Sequence, residues 1–276
     1  MNLFFNRAIS VDIGTRGGVG IQISKLRVEF KAKKTPTPES NQAEVKIFNL
    51  SNSSLNRIKE GSVLVLKAGY EIPGEQEIFR GDISLVNSSK ERENLVTKIE
   101  LNDGATTLQS SEVSLSYGRN TSAKHVLQQI IKNMNIPLKK DIAQLRDKNF
   151  INGFSFAGKS KEALTEVLNE LGASWSIQGG QIRIDYSDLQ NTMLSYKITP
   201  HTGLLESPEQ IEMQEDGKKS RVWKVKSLLL PSLEPGDAVV VESKEVDKSR
   251  FKVAVIEHNG DTHGSTWDST LQLKEL

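Results

Sequence analysis

Two histidines and an aspartate near the C-terminal end of the chain are spaced closely enough to suggest a metal site. His258, Asp261 and His263 follow one another as H-x2-D-x-H. Imidazole and carboxylate groups are ordinary zinc ligands, but they must aim at one point, as two histidines on one helix face do. Here the spacing falls in a polar turn between predicted strands, with no further ligand cluster nearby in sequence. We therefore expect no metal site and interpret these residues as a solvated turn or a contact loop.

Aspartates beside glycines at predicted strand ends raise a second possibility, the paired carboxylates of a glycoside hydrolase. Asp82, Asp103 and Asp261 fit this description. A glycosidase holds its two carboxyls at a defined separation across a cleft, and turn aspartates more often bond their own backbone. The chain has no cysteine and no G-x-S-x-G motif, which excludes thiol catalysis and a nucleophile elbow. We predict that the chain is not an enzyme and has no cofactor.

The charge balance argues against a protein dedicated to nucleic acids. The 276 residues include 36 Lys and Arg against 35 Asp and Glu, a net charge of +1. Basic stretches at 31–34, 139–140 and 218–221 lack the interleaved aromatic residues that stack on bases. We predict no nucleic acid recognition. No run of 18 apolar residues occurs, so we expect no stable membrane insertion, and residues 1–7 do not resemble a secretory signal.

The first hundred residues show the alternation of half-buried strands. Ile21 and Ile23, and then Leu26, Val28 and Phe30, recur at period-2 spacing with polar residues between them. A short helix is expected over 49–60. About six strands are predicted before residue 103, which suits a small antiparallel barrel or a sandwich.

The middle of the chain changes to helical periodicity. One apolar stripe runs over Ala123–Met134, and Thr121 or Ser122 is a suitable N-cap. A second helix is predicted from Ser160, as its cap, to Gly172 at the position after its end. A hairpin with a glycine turn follows. The last third returns to strands, predicted over 222–230, 237–243, 251–258 and 267–273.

Two segments of the chain resemble the tail hub proteins of bacteriophages. The closing part of that family commonly reads P-x-L-x-P-G-D, then V-x-x-V-x-H-x-G-D and a tryptophan. Here PSLEPGD occupies 231–237, VAVIEHNGD occupies 253–261, and Trp267 follows. The segments AEVKIFNLS at 43–51 and IFRGDI at 78–83 are similar to the N-terminal pattern of the family. Together these matches cover about half of the chain.

The resemblance implies a fold and a role. Such hubs have two small antiparallel β-barrel domains related by pseudo-symmetry, with an α+β domain between them. This implies an α+β, mostly β chain divided into residues 1–103, 104–190 and 191–276. A homotrimer then presents six barrels and adapts the hexameric tail tube above to the trimeric central spike below. The implied partners are the tube proteins, the spike and other baseplate proteins, in a virion assembled in the host cytoplasm.

Two rival hypotheses stay open, a tail-associated lytic enzyme that degrades peptidoglycan and a receptor-binding tail protein. The second predicts many exposed aromatic residues, whereas only 6% of the chain is aromatic. Under the hub hypothesis, polar loops at barrel ends are where partners dock. The candidate contact residues are Pro231, Pro235, Asp237, His258, Asp261 and His263. Trp267 is expected to anchor the core at the start of the closing strand.

Overall fold

The computed structural model describes residues 6–14, 20–103, 110–139, 145–186, 194–215 and 218–276. It divides into two compact units. The first combines the described residues of Met1–Thr35, Asn41–Asn102 and Asn191–Leu276, and the second combines those of Pro36–Ser40 and Asp103–Gln190. The two ends of the chain therefore fold together, and the middle forms a unit of its own.

The N-terminal part of the first unit, called the N-lobe, consists of antiparallel strands and one short helix. Its strands alternate buried and exposed side chains because one face packs on the core. Its elements are β1 (Arg7–Gly14), β2 (Ile21–Ile23), β3 (Val28–Lys34), β4 (Gln42–Phe48), α1 (Asn52–Leu55), β5 (Val63–Tyr70), β6 (Gly74–Glu91) and β7 (Asn94–Asn102).

The helix predicted over 49–60 is much shorter than expected. Ser51 caps α1 by accepting a hydrogen bond from the backbone of Ser54, as serine does at an N-cap. The helix ends after Leu55, and Ile58 is buried beyond it in the N-lobe core. Apolar spacing alone suggested a longer helix, but a single turn followed by an irregular segment is enough to bury Ile58.

The second unit is a small α+β fold, as its periodicity predicts. Its core comes from the apolar faces of both helices together with Trp175, Ile177 and Ile182 of a hairpin. Its elements are β8 (Glu112–Tyr117), β9 (Thr121–Ser122), α2 (Ala123–Met134), β10 (Asn149–Phe150), β11 (Phe154–Lys159), α3 (Ser160–Glu170), β12 (Ala173–Gln178) and β13 (Gln181–Tyr186).

The caps of the two helices differ from each other. Ser122 caps α2 as predicted, accepting from the backbone of His125. The predicted cap of α3 is wrong: Lys159 occupies the N-cap position, and the hydroxyl of buried Ser160 accepts a hydrogen bond from Asn133 at 3.0 Å. Gly172 follows α3 with φ of 67°, the left-handed conformation expected there.

The C-terminal part of the first unit, called the C-lobe, is also built of strands. Its core is separate from the N-lobe core and includes Ile198, Leu233, Phe251 and Leu271. Its strands are β14 (Leu194–Ile198), β15 (Glu209–Glu215), β16 (Lys218–Leu228), β17 (Ala238–Val241), β18 (Ser249–Asp261) and β19 (Trp267–Glu275).

One sheet of thirteen strands runs through both lobes. Antiparallel pairing of β3 with β18, from Lys34 opposite Ile256 to Glu29 opposite Asp261, joins the lobes. The strand order does not close on itself among the described residues, so we call these parts lobes rather than closed barrels. The predicted class, α+β and mostly β, is confirmed.

The two lobes repeat one strand order although the sequence shows no repeat. The N-lobe runs β3-β4-β7-β6-β5-β1, and the C-lobe runs β15-β16-β19-β18-β17-β14. Both repeats carry a β-bulge at the same place: the ladder shifts between Ile83 and Leu85 in β6, and between Val253 and Val255 in β18. One difference is that β1 pairs antiparallel with β5, whereas β14 pairs parallel with β17.

Candidate functional site

His258 lies inside β18, at the end of the strand predicted over 251–258, and not in the polar turn that follows it. The bulge beside Ala254 shifts the alternation of the strand by one residue, so Ile256 and His258 point into the core. His258 is fully buried, and its Nδ1 lies 2.9 Å from the hydroxyl of Ser269. The ring exposes no surface in this structure, and a partner contact at His258 stays a prediction.

His263 does lie in the turn between β18 and β19. It is exposed, and its Nδ1 is 2.9 Å from the hydroxyl of Thr262. His258 and His263 thus lie in different environments, one in the core and one at the surface. No group of three or more possible metal-ligating His, Asp or Glu residues occurs among the residues that the structure describes.

Burial of His258 predicts a stability that depends on pH. Burial and the positive charge of Lys34 lower the pKa of His258 well below its ordinary value, although the Leu233 carbonyl acts in the opposite direction. The unfolded chain binds a proton near pH 6.5 and the folded chain only at lower pH. The free energy of unfolding should therefore fall as the pH drops below about 6.5, by up to about 1.4 kcal/mol per pH unit.

Denaturant titrations between pH 7.5 and 5 measure this dependence. We expect His258→Asn to flatten the slope and His263→Gln, at the exposed position, to keep it. A slope that survives in His258→Asn would assign the effect to another group.

Asp261 forms an ion pair between the lobes. Its carboxylate accepts hydrogen bonds from Arg27, with oxygen–nitrogen distances of 2.8 and 3.2 Å, and from the backbone amide of His263 at 2.9 Å. Burial alone would raise the pKa of Asp261, but these bonds outweigh burial and lower it. A carboxylate held ionised in this way is unsuited to the general acid of a glycosidase, which needs a raised pKa.

Arg7 binds the backbone of the same turn from the N-lobe. Its guanidinium donates to the carbonyls of Asp261 and Gly264, both at 2.6 Å, and to that of Ser265 at 3.1 Å. These are charge-assisted hydrogen bonds, which are stronger than bonds between neutral groups. The same guanidinium carbon lies 5.3 Å from the centroid of the Trp267 ring, within cation–π range.

Trp267 starts a C-lobe strand but packs in the N-lobe core. It is 4% exposed, as expected for an anchor, and meets Phe30 edge to face with ring centroids 5.6 Å apart. Its indole nitrogen donates to the Gly69 carbonyl at 3.2 Å. Gly260 lies directly against both rings, and a Cβ there would overlap the Phe30 ring. We call the six residues of this contact the lobe junction: Arg7, Arg27, Phe30, Gly260, Asp261 and Trp267.

The turn at 231–237 is largely buried within the C-lobe. Pro231 and Pro235 are buried, and Leu233 is completely buried in the C-lobe core. The half-buried Asp237 accepts a hydrogen bond from the backbone of Glu234 at 2.9 Å. Ser232 is the exposed residue of this turn. That this turn contacts a partner stays a prediction. Its two prolines are buried and expose little surface for such a contact.

The other candidate carboxylates belong to other elements than Asp261. Asp82 lies on β6 of the N-lobe, whereas Asp103 belongs to the second unit, where it is buried and accepts from the backbone of Gly180 at 3.1 Å. Asp268, not singled out by its sequence context, is the described carboxyl whose pKa burial clearly raises. It is buried on β19 with Asn259 at 3.4 Å.

Solved structures of other proteins share this fold. No protein-family model matches the chain, and no curated protein matches it. A tail protein from Neisseria meningitidis MC58 matches with a TM-score of 0.68 at 10% identity, over 98% of this chain and 97% of that one. The 43 kDa tail protein of prophage MuSo2 from Shewanella oneidensis matches with a TM-score of 0.69 at 8% identity, over 98% and 97%.

Proteins of the type VI secretion system have the same fold. An Escherichia coli component of that system matches with a TM-score of 0.60 at 11% identity, over 96% of this chain and 76% of that one. At identities this low, the TM-scores show a shared fold alone. The chain therefore has the fold of phage tail proteins and their secretion-system counterparts, which confirms the resemblance seen in its motifs. No helix among the described residues is long and apolar enough to cross a membrane.

Proposed function

We propose that this chain is a structural hub of a phage tail, a trimeric ring that adapts a hexameric tail tube to a trimeric central spike. The observation that supports the proposal most strongly is the repeated strand order of the two lobes, fixed to each other through β3 and β18. A chain with two similar lobes gives six similar lobes when three copies form a ring. Such a ring matches sixfold symmetry on one side and threefold symmetry on the other.

The lobe junction fits this role, because an adaptor must hold its two lobes in one fixed relation. Residues that resemble the hub motif, Gly260, Asp261 and Trp267, serve this junction rather than a catalytic site. The partners we propose are the tube proteins above, the spike below and other baseplate proteins, in a virion tail assembled in the host cytoplasm. We assign the tube-facing lobes to residues 1–103 and 191–276, with residues 104–190 as a separate domain.

A peptidoglycan-degrading enzyme is the alternative. Its general acid needs a raised pKa. Of the carboxylates proposed from the sequence, Asp261 is instead held ionised by Arg27. The shared fold with tail proteins supports the structural role instead.

The mass of the purified chain in solution tests the proposal. We expect light scattering to give three times 30.6 kDa, about 92 kDa, at concentrations where the ring is stable. A stable ring requires well-packed contacts of more than about 1,000 Å² each. A mass of six chains, or of one chain at every concentration, would contradict a trimeric adaptor.

A further inference from the structure

Two strand edges of the first unit have no partner among the described strands. β6 pairs with β5 only as far as Asp82, and beyond the bulge its half from Leu85 to Glu91 pairs with β7 alone. β15 pairs with β16 alone and ends the sheet. Unpaired edges are templates for another strand, and proteins normally cover or blunt them.

The strands that correspond to β6 and β15 are β18 and β3, and these two pair with each other inside one chain. β18 corresponds to β6 by strand order and by the position of its bulge. Its first part pairs with β17, and the half beyond the bulge pairs with β3. β3 corresponds in turn to β15, since each is the outer neighbour of the strand after it in its lobe. The pairing of β18 with β3 is thus a template for pairing β6 with β15.

Burial agrees that no described part of the same chain covers the edge of β6 beyond its bulge. Ile256, His258 and Gly260 are buried where β18 meets β3. The corresponding positions of β6, aligned through the bulge, are half-buried Val86 followed by exposed Ser88 and Lys90.

The same difference appears on the partner strands. Ala32 of β3 is completely buried opposite His258, whereas its counterpart in β15, Gln210, is exposed. Two large apolar side chains are also exposed beside these edges, Leu85 at 42% and Leu205 at 48%. Exposed apolar side chains beside unpaired strands are typical of a surface that a partner covers.

We propose that the half of β6 from Leu85 to Glu91 in one copy pairs antiparallel with β15 of the next copy. The register follows the β18–β3 ladder and places Ser88 opposite Gln210 and Ser89 opposite Glu209. Each copy then offers one edge to each neighbour, a head-to-tail contact that closes into a ring. This inference rests on the proposed trimer and names the surfaces that build it. The sheet of one copy continues into the next.

Disulfide cross-linking tests this register, since the natural chain has no cysteine. The test variant combines Ser89→Cys with Glu209→Cys, both at exposed positions. The calibration variant combines Lys31→Cys with Asn259→Cys, the equivalent pair, which lies directly opposite within one chain. A mismatched variant combines Ser89→Cys with Glu212→Cys, three residues further along β15. Each is oxidised and separated on a non-reducing gel, with light scattering on the reduced sample.

We expect the calibration variant to form its disulfide within one chain and the test variant to become a covalent trimer of about 92 kDa. The mismatched variant should stay largely uncross-linked, because direct cross-strand neighbours alone approach within disulfide reach. A test variant that scatters as a trimer yet fails to cross-link, while the calibration variant does, would overturn the strand pairing and leave the trimer intact. Reduced variants that remain monomeric would overturn the proposed ring itself.

Discussion

Trp267→Ala should lower the free energy of unfolding by about 3–5 kcal/mol, the range for removing a buried tryptophan. The substitution leaves a cavity against Phe30, removes the bond to the Gly69 carbonyl, and removes the ring under Arg7. Because the ring lies in the N-lobe core while its backbone belongs to the C-lobe, both lobes should lose stability together. Chemical denaturation measures the loss.

Trp223→Ala is the matched control for this prediction. Trp223 is also on a C-lobe strand, but its side chain is only half-buried, with its nitrogen 3.1 Å from Glu275. We expect a smaller loss of stability there. A Trp267→Ala variant that is as stable as Trp223→Ala would refute the anchor. A Trp267→Ala variant that stays fully folded but fails to join tail tubes would make Trp267 a contact residue.

Gly260→Ala should destabilise the chain by about 1–3 kcal/mol, the usual cost of adding a methyl group to a filled core. The new Cβ would fall on the Phe30 ring and against the Trp267 ring, so both rings must shift. The φ of Gly260 is not in the left-handed region, so backbone conformation does not require glycine here. The close approach of the two rings does. Thermal and denaturant unfolding measure the effect.

Gly118→Ala is the control, since nothing lies near the added methyl group and φ is not positive there. That change should be neutral or slightly stabilising, because alanine reduces the entropy of the unfolded chain. Equal stability of Gly260→Ala and the natural chain would show that the junction is looser than its contacts indicate.

Local patterns predicted the elements whose stability is local. The stripe over Ala123–Met134 gave α2 with its bounds, and the glycine turn gave the hairpin of β12 and β13. Both depend on residues within a few positions of each other, so periodicity and turn chemistry are sufficient evidence. The buried position of Trp267 was also predicted, since a large indole at the start of a strand is usually buried.

Local sequence patterns could not predict the lobe junction. Arg7 and Asp261 are 254 positions apart in sequence, and nothing in the residues around Arg7 indicates which carbonyls it binds. His258 was misplaced for a different reason. Period-2 alternation from Phe251 and Val253 predicts Val255 inside, but the bulge reverses the phase and turns Ile256 and His258 inward. A bulge has no fixed sequence signature, so its position is visible only in the strand pairing.

The copy number and arrangement of this chain in an assembled tail tip test the central claim most directly. We expect cryo-electron microscopy to show three copies around one axis, with their six lobes in one plane between the tube and the spike. Neighbouring copies should be joined by β6 and β15 as β18 and β3 are joined within a copy. Six copies of the chain, or a single copy, at that position would contradict the symmetry adaptor.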